Sequence, residues 1–201
     1  MSEFKLLGSS DPLITSLGVI TQGIGFPLRN VEPTTGGGGT VTVRTTTVFA
    51  SQSFSNQDPV GLDNPLQITF GAPASTPEFS IDAAGALTCL VADEYTLRLK
   101  VAISRDKQGG GESEVYLRAL LNGVQVSNSV STLVDNEKIE IPQIYSGIID
   151  AEVGDVFTFE IVRDSSGTNS GGLRASSPQI AGWNPSPSAF IRVDRTYAIQ
   201  A

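Results

Sequence analysis

The chain has 201 residues, enough for one large domain or for a smaller domain with an appendage. Its formal net charge of −8 repels the phosphates of nucleic acids and the headgroups of anionic lipids, so neither nucleic acid nor a membrane is expected as a partner. It has no histidine and a single cysteine, Cys89, which excludes an internal disulfide, a structural zinc site and a Ser-His-Asp active site.

The chain shows neither a secretory signal nor a membrane-spanning segment. The first ten residues lack the apolar core of a signal peptide, and no stretch approaches the roughly 20 apolar residues that cross a bilayer. Synthesis in the cytoplasm is therefore expected.

Residues 1–40 are predicted to form an extended arm that ends in a glycine joint. Glycine and proline interrupt its apolar pieces before a helix or strand period is established, yet leaving those pieces in water would cost about 25 cal/mol per Å². The arm is therefore expected to pack on a partner surface, and Gly36, Gly37, Gly38 and Gly39 separate it from a domain over residues 41–201. The residues expected to contact the partner are Phe4, Leu6, Leu7, Leu13, Ile14, Ile20, Phe26 and Leu28.

The first strands follow the joint. Residues 41–49 alternate apolar or β-branched residues with polar ones, the period of a half-buried strand, and residues 66–70 alternate in the same way. The cleanest alternation in the chain covers residues 95–103. Residues 85–90 are predicted to pair with it, and the short connection over residues 91–94 makes the two a β-hairpin.

A second hairpin is predicted where residues 115–121 meet residues 124–126, because Asn122-Gly123 between alternating runs is typical of a tight two-residue turn.

The remaining strands are shorter or flank irregular chain. Ile139 and Ile141 begin a strand that Pro142 marks as an edge or an end. Residues 155–161 place three large apolar side chains on one face, and residues 165–188 form the longest irregular segment.

A last strand is predicted over residues 191–199. The count reaches eight to ten strands without a convincing helix. This pattern predicts an all-β fold, an antiparallel β-sandwich or jelly roll that carries an extended N-terminal arm.

The order of these features resembles a known superfamily. The features are the stretch of residues 79–95 from an aromatic residue to a tyrosine, the strand ending in Asn-Gly over residues 115–126, the Gly-Asp entry to a strand over residues 153–157, and the last strand with Phe190 and Tyr197. Together they resemble the jelly roll of the tumour necrosis factor and C1q-like superfamily, over residues 66–199. The resemblance implies a homotrimer, and small bacteriophage virion proteins are similar in plan.

Patterns typical of enzymes are weak in this sequence. The glycine runs at residues 36–39 and 109–111 are not followed by the Lys-Ser/Thr of a phosphate-binding loop. Acidic pairs such as Asp93 and Glu94 are interpreted as turn residues rather than as a glycosidase pair. No enzymatic activity and no cofactor are expected.

Two local features leave alternatives open. Asp150, Glu152 and Asp155 lack the ligand spacing of a dedicated calcium loop, and the sequence alone leaves open whether calcium binds there. Trp183 and Tyr145 are able to stack on a sugar. For Trp183 the alternatives are capping one end of the sandwich and burial at a subunit interface.

The leading hypothesis is a structural virion protein on the capsid surface. In this reading the chain is a bacteriophage capsid decoration or cement protein, a homotrimer whose arm binds the major capsid protein or other virion subunits. The alternative is a receptor-binding or glycan-binding knob of a tail fibre or head fibre that uses residues 165–188.

Overall fold

A computed structural model of the chain describes residues 41–105, 113–134, 141–164 and 171–200, with the side chains of all but residues 41, 42 and 198–200. The chain divides into two units, residues 1–40 and 41–201. All described residues belong to the second unit, and the arm and joint predicted for the first lie outside them.

The described residues form thirteen β-strands and no helix, which confirms the all-β class. In chain order the strands are β1 (Val41–Ser53), β2 (Leu66–Gln67), β3 (Ala74–Ser75), β4 (Phe79–Ile81), β5 (Leu87–Cys89), β6 (Asp93–Ser104), β7 (Ser113–Leu121), β8 (Val124–Gln125), β9 (Val130–Val134), β10 (Ile141–Ala151), β11 (Val156–Arg163), β12 (Gly172–Leu173) and β13 (Ala189–Gln200). In this part of the chain no helix is long and apolar enough to cross a membrane.

The strands form two antiparallel sheets that pack as a sandwich. Sheet A has the order β1-β13-β6-β10, and β12 also pairs with β6. Sheet B has the order β3-β4-β5-β11-β7-β8, with β2 also paired to β11 and β9 to β7. The predicted antiparallel sandwich is therefore confirmed.

Alternating side chains of both sheets fill the core. In β6, Leu97, Leu99 and Val101 are buried while the residues between them face outward. Phe79 of sheet B meets Tyr95 of sheet A edge to face, with ring centroids 4.8 Å apart. Such a pair contributes about 0.5–1.5 kcal/mol beyond the contribution of its buried apolar area, so it stabilises the packing of the two sheets.

The hairpin predicted between residues 85–90 and 95–103 is wrong. Strand β5 pairs with β4 and β11 in sheet B, whereas β6 pairs with β13 and β10 in sheet A. The connection between them crosses from one sheet to the other. The carbonyl of Val91 in this connection accepts hydrogen bonds from the Cys89 thiol at 3.0 Å and the Tyr95 hydroxyl at 2.8 Å.

Strand β1 is longer than predicted and less buried. Its register with β13 shifts between Thr47 and Phe49, a bulge that inserts Val48. In β1, Phe49 is buried in the core and the partly buried Val48 packs against it, whereas residues 43–47 are exposed on both faces of the strand. The half-buried alternation expected for residues 41–49 is therefore absent from most of them.

The second predicted hairpin is confirmed. Asn122 and Gly123 have φ angles of 51° and 80°, and Leu121 pairs with Val124 across the turn. Two consecutive residues with positive φ are the backbone of a type I′ turn, whose twist matches that of the flanking strands.

Candidate functional site

The residues expected to contact a partner fall into two groups. The eight arm residues, Phe4 to Leu28, lie outside the described residues. Trp183 is described and is 69% exposed, so its ring does not cap the core of its own sandwich. That alternative is wrong, while contact with a partner or a ligand stays a prediction.

Trp183 lies at the tip of an ordered turn. Its backbone N–H donates to the carbonyl of Ile180 at 3.4 Å, and Gly182 between them has a φ of 84°. Glycine adopts that conformation without a steric cost. The turn presents Ile180, which is 61% exposed, beside Trp183, so the tip carries two large apolar side chains in water.

The base of this loop, residues 174–188, is fixed by backbone hydrogen bonds. Ser176 and Ser186 exchange a pair of them, at 3.1 and 2.7 Å. The N–H of Arg174 donates to the carbonyl of Ala102 at 2.9 Å, and the N–H of Ala102 donates to the carbonyl of Ser188 at 2.9 Å. Both ends of the loop are thereby tied to the end of β6.

A polar network, buried at Gln57, Arg174 and Ser188 and exposed at Asp58, lies beneath the loop base. The side chain of Gln57 donates to the carbonyl of Thr69 at 3.0 Å and accepts from the N–H of Thr69 at 2.7 Å. The Ser188 hydroxyl bonds the carbonyl of Ser55 at 2.6 Å, and Arg174 Nη1 lies 2.5 Å from Asp58 Oδ1. Buried polar groups that are paired in this way make a single arrangement strongly preferred.

The arrangement favours binding rather than catalysis. Between residues 175 and 188 the loop has no ionisable side chain, so its tip offers neither a general acid nor a general base. An exposed tryptophan and isoleucine on a fixed base offer apolar contact area, and a fixed base reduces the conformational entropy that binding must overcome.

The edge of sheet A at β10 is a second candidate surface. Among the described residues sheet A ends at this strand, whose one strand partner there is β6. No charged residue occurs from Ile141 to Ile149, and Ile144 is 72% exposed. Native edge strands are usually protected by charges, prolines or bulges, and here Pro142 protects only one end.

The acidic residues at the turn between β10 and β11 stabilise the turn. Asp155 Oδ2 accepts from the N–H of Glu152 and Oδ1 accepts from the Asn122 side chain, both at 2.9 Å. These hydrogen bonds lower the pKa of Asp155 below the usual range of aspartates. Among the described residues, no group of three His, Cys, Asp or Glu side chains could hold a metal ion.

Cys89 is buried beneath the crossing between the sheets. Burial is the main reason that the pKa of its thiol is raised, which keeps it protonated near neutral pH. The apolar run around Cys89 in the sequence agrees with this burial.

Sequence reasoning missed two features of these surfaces. It singled out Trp183 by residue type but not Ile180 beside it, although Gly182 in a Ser-rich and Pro-rich segment is a signal for a tight turn. It left open whether Pro142 marks an edge or an end of its strand; among the described residues β10 is the edge of sheet A, and it continues to Ala151, a length that the sequence did not predict. The absence of charged residues from 141 to 149 was the signal in the sequence for an edge strand that a partner is expected to cover.

A scan against protein-family models finds no match for the chain, and a search of curated proteins finds none either. Among solved structures, the chain is similar to the globular domain of zebrafish complement 1qA protein, with 16% identity over 74% of this chain and 95% of that one and a TM-score of 0.40. It is also similar to the Eiger TNF from S. frugiperda, with 10% identity over 75% and 93% of the two chains and a TM-score of 0.36. Likeness at these identities concerns the fold alone.

Proposed function

We propose that the chain is a structural protein of a virion, a capsid decoration or cement protein that assembles as a trimer and acts by binding other subunits. The observation that carries the proposal is the uncharged edge of sheet A at β10. An edge of this length without charges pairs readily with another chain. In a protein that stays in solution, such an edge is expected to be covered by a partner.

A neighbouring subunit that packs on β10 would be stabilised there by contacts with both the backbone and the side chains of the strand. The outer row of N–H and C=O groups of β10, which no described strand pairs with, offers hydrogen bonds to an added strand, and specificity comes from the alternating side chains. Ile144 contributes about 1.5–3 kcal/mol if it is fully buried.

A trimer is compatible with contact at one edge. If β10 of one copy contacts a different part of the next copy, the contact is heterologous, and heterologous contacts close into rings when the rotation allows. Pairing of β10 with a second β10 would instead give a two-fold dimer. The assembly state therefore separates the two modes.

The test places a charge on the edge. We expect Ile144→Lys to convert the trimer into monomers, measured by sedimentation velocity at micromolar concentration, because a lysine on the strand opposes burial. Val60→Lys is the matched control, since it adds the same charge to another exposed apolar residue. A wild-type monomer, a wild-type dimer, or an Ile144→Lys protein that stays trimeric would overturn the proposal.

The exposed tip of the 174–188 loop favours a second candidate function. A receptor-binding or glycan-binding knob needs an apolar or aromatic contact group on a fixed base, and Trp183 with Ile180 meets that description. Recognition would then reside in the loop rather than at the sheet edge.

The two functions are separated by a loop variant. If the knob hypothesis holds, Trp183→Ser abolishes binding of the protein to host cells or to a glycan array while leaving its trimer intact. Val124→Ser is the matched control, because Val124 is also exposed and apolar but lies on a different strand. Host-cell binding that survives Trp183→Ser excludes the loop as the contact.

A further inference from the structure

The outer face of sheet A carries a concentration of positive charge on an acidic protein. In β6, Arg98 and Lys100 face outward between buried residues, and in β13 Arg192 does the same. Arg98 and Arg192 are direct partners in the register of these strands. Lys100 lies opposite Phe190, which places it diagonal to Arg192 and within reach of a long side chain.

One buried carboxylate organises the two arginines. The side chain of Asp194 is 0% exposed although it belongs to the outer face of the sheet. Its Oδ1 accepts from Arg192 Nε at 2.7 Å and from the Thr47 hydroxyl at 2.8 Å, and its Oδ2 lies 3.9 Å from Arg98 Nε. The arginines therefore cover Asp194 with their Nε atoms turned toward it.

The contacts with Asp194 leave the ends of the guanidinium groups available. The side chains of Arg98 and Arg192 are 53% and 41% exposed, and no described residue hydrogen-bonds their Nη groups. Lys100 is exposed and has no ion pair with any residue in the described ranges. Three cations over one carboxylate leave a local charge of about +2.

A structural role for these cations explains only part of the cluster. One guanidinium is enough to neutralise Asp194, and Arg192 supplies it with the shorter contact. A second arginine directly opposite the first is destabilising on a sheet unless something balances it. Arg98 and Lys100 thus remain unexplained by the folding of the sandwich.

We propose that Arg98, Lys100 and Arg192 form a binding site for a compact tetrahedral oxyanion, a sulfate or phosphate group, free or as an ester on a sugar. Guanidinium groups bind such oxygens through paired hydrogen bonds, and Asp194 fixes the two groups before the ligand arrives. A charge near −2 balances the local charge of the site.

The same face excludes long polyanions. Glu94 and Asp150 are both exposed and lie directly opposite each other on β6 and β10. They are four residues from Arg98 along β6, about 13 Å. This acidic pair, together with the net charge of −8, repels a nucleic acid or an extended sulfated polymer.

The test titrates the full-length protein with inorganic sulfate and with phosphate, replacing chloride at constant ionic strength. The readout is the ¹⁵N NMR signals of the Nε–H groups of Arg98 and Arg192. We expect saturable shifts and a dissociation constant that rises about tenfold in Lys100→Gln, the loss of one charge-assisted contact. Arg44→Gln removes the same charge from an exposed residue of β1 outside the cluster and is expected to leave the dissociation constant unchanged.

Lys100 is the preferred variant because it has no described structural partner, whereas removing Arg192 would leave Asp194 buried without its nearest cation. A parallel titration with a sulfated monosaccharide and its unsulfated parent distinguishes an ester from the free ion. Saturable binding of the free ion and saturable binding of the sulfated monosaccharide each support the site. Shifts that do not saturate, equal effects of Lys100→Gln and Arg44→Gln, or tighter binding of duplex DNA than of sulfate would overturn it.

Discussion

Gln57 shows how a single side chain fixes a surface loop. Its amide bonds both the N–H and the carbonyl of Thr69, and its backbone exchanges two hydrogen bonds with Leu173. The residue thereby joins the segment after β1 to the segment after β2 and to β12, which leads into the 174–188 loop. Neither partner is close to Gln57 in sequence.

We expect Gln57→Ala to lower the free energy of unfolding by about 1–3 kcal/mol, because it leaves buried backbone groups of Thr69 without partners. Equilibrium unfolding in urea measures this change. Gln125→Ala is the control, since Gln125 is exposed and its amide bonds only residues of its own turn. Equal losses in the two variants would show that the network beneath the loop adds no stability.

The side chain of Asp155 makes the stability of the turn between β10 and β11 depend on pH. Hydrogen bonds from the Glu152 N–H and the Asn122 side chain lower its pKa in the folded state. A group with a lowered folded pKa stabilises the fold above its unfolded value of about 3.9, and this contribution disappears as the pH falls through the folded pKa. The hydrogen bonds therefore favour folding at neutral pH.

We expect Asn122→Ala to raise the pKa of Asp155, measured by NMR titration of the carboxyl carbon. The free energy of unfolding of the wild type should exceed that of Asp155→Ala at pH 6, and the difference should shrink below about pH 4. A difference that is independent of pH would mean that the Asp155 side chain acts only by its shape.

At the scale of elements, the turn between β4 and β5 is the most constrained. Gly85 has a φ of 89°, and a Cβ placed on it would lie 2.0 Å from the carbonyl oxygen of Ile68. Gly123 has a similar φ of 80° and open space around it. The two glycines therefore share a conformational requirement and differ in the room for a side chain.

We expect Gly123→Ala to cost about 1–3 kcal/mol for the unfavourable φ alone. Gly85→Ala should cost about 1–3 kcal/mol more, because the backbone of the neighbouring segment must move away. Thermal and urea unfolding of both variants measure the two losses. Equal losses in the two variants would show that the backbone near Ile68 moves away from the new methyl group without a measurable loss of stability.

The elements that the sequence predicts well are those set by local chemistry. The Asn122-Gly123 turn requires only its two central residues, and the strand at residues 155–161 is defined by the alternation of Phe157 and Phe159. The pairing of β5 is different. Leu87 pairs with Phe157, 70 positions later, so its sheet is decided by partners far along the chain. A short link to β6 carries no information about that choice.

The candidate surfaces were predicted unevenly for the same reason. Trp183 was identifiable from its residue type within a Ser-rich and Pro-rich segment. Its exposure depends on hydrogen bonds from Arg174 and Ser188 to residues in other strands, which no local pattern indicates. Arg98 and Lys100 were visible as polar positions of a strand, but their grouping with Arg192 follows from the pairing of β6 with β13.

At the scale of the molecule, the described residues of the second unit form one hydrophobic core between the two sheets. The buried residues that contact one another extend from Phe49 to Val193 and come from both sheets. Beyond Arg195, the one strand of the described chain that pairs with β13 is β1, and residues 43–47 of β1 are exposed on both faces. A two-stranded ribbon of this kind has only marginal stability in water. It is therefore a second surface that contact with a partner would stabilise.

Because the core of the described residues draws on both sheets from Phe49 to Val193, we expect deletion of residues 1–35 to leave the melting temperature nearly unchanged, as measured by circular dichroism. If the arm binds virion subunits as the sequence predicts, the same deletion should abolish sedimentation of the protein with capsids that lack it. A full-length variant with serine at the eight apolar arm positions, Phe4 to Leu28, is the matched control for length and should fail in the same way. Retention of capsid binding by the truncated protein would assign attachment to the sandwich, and a large drop in melting temperature would show that the arm is part of the fold.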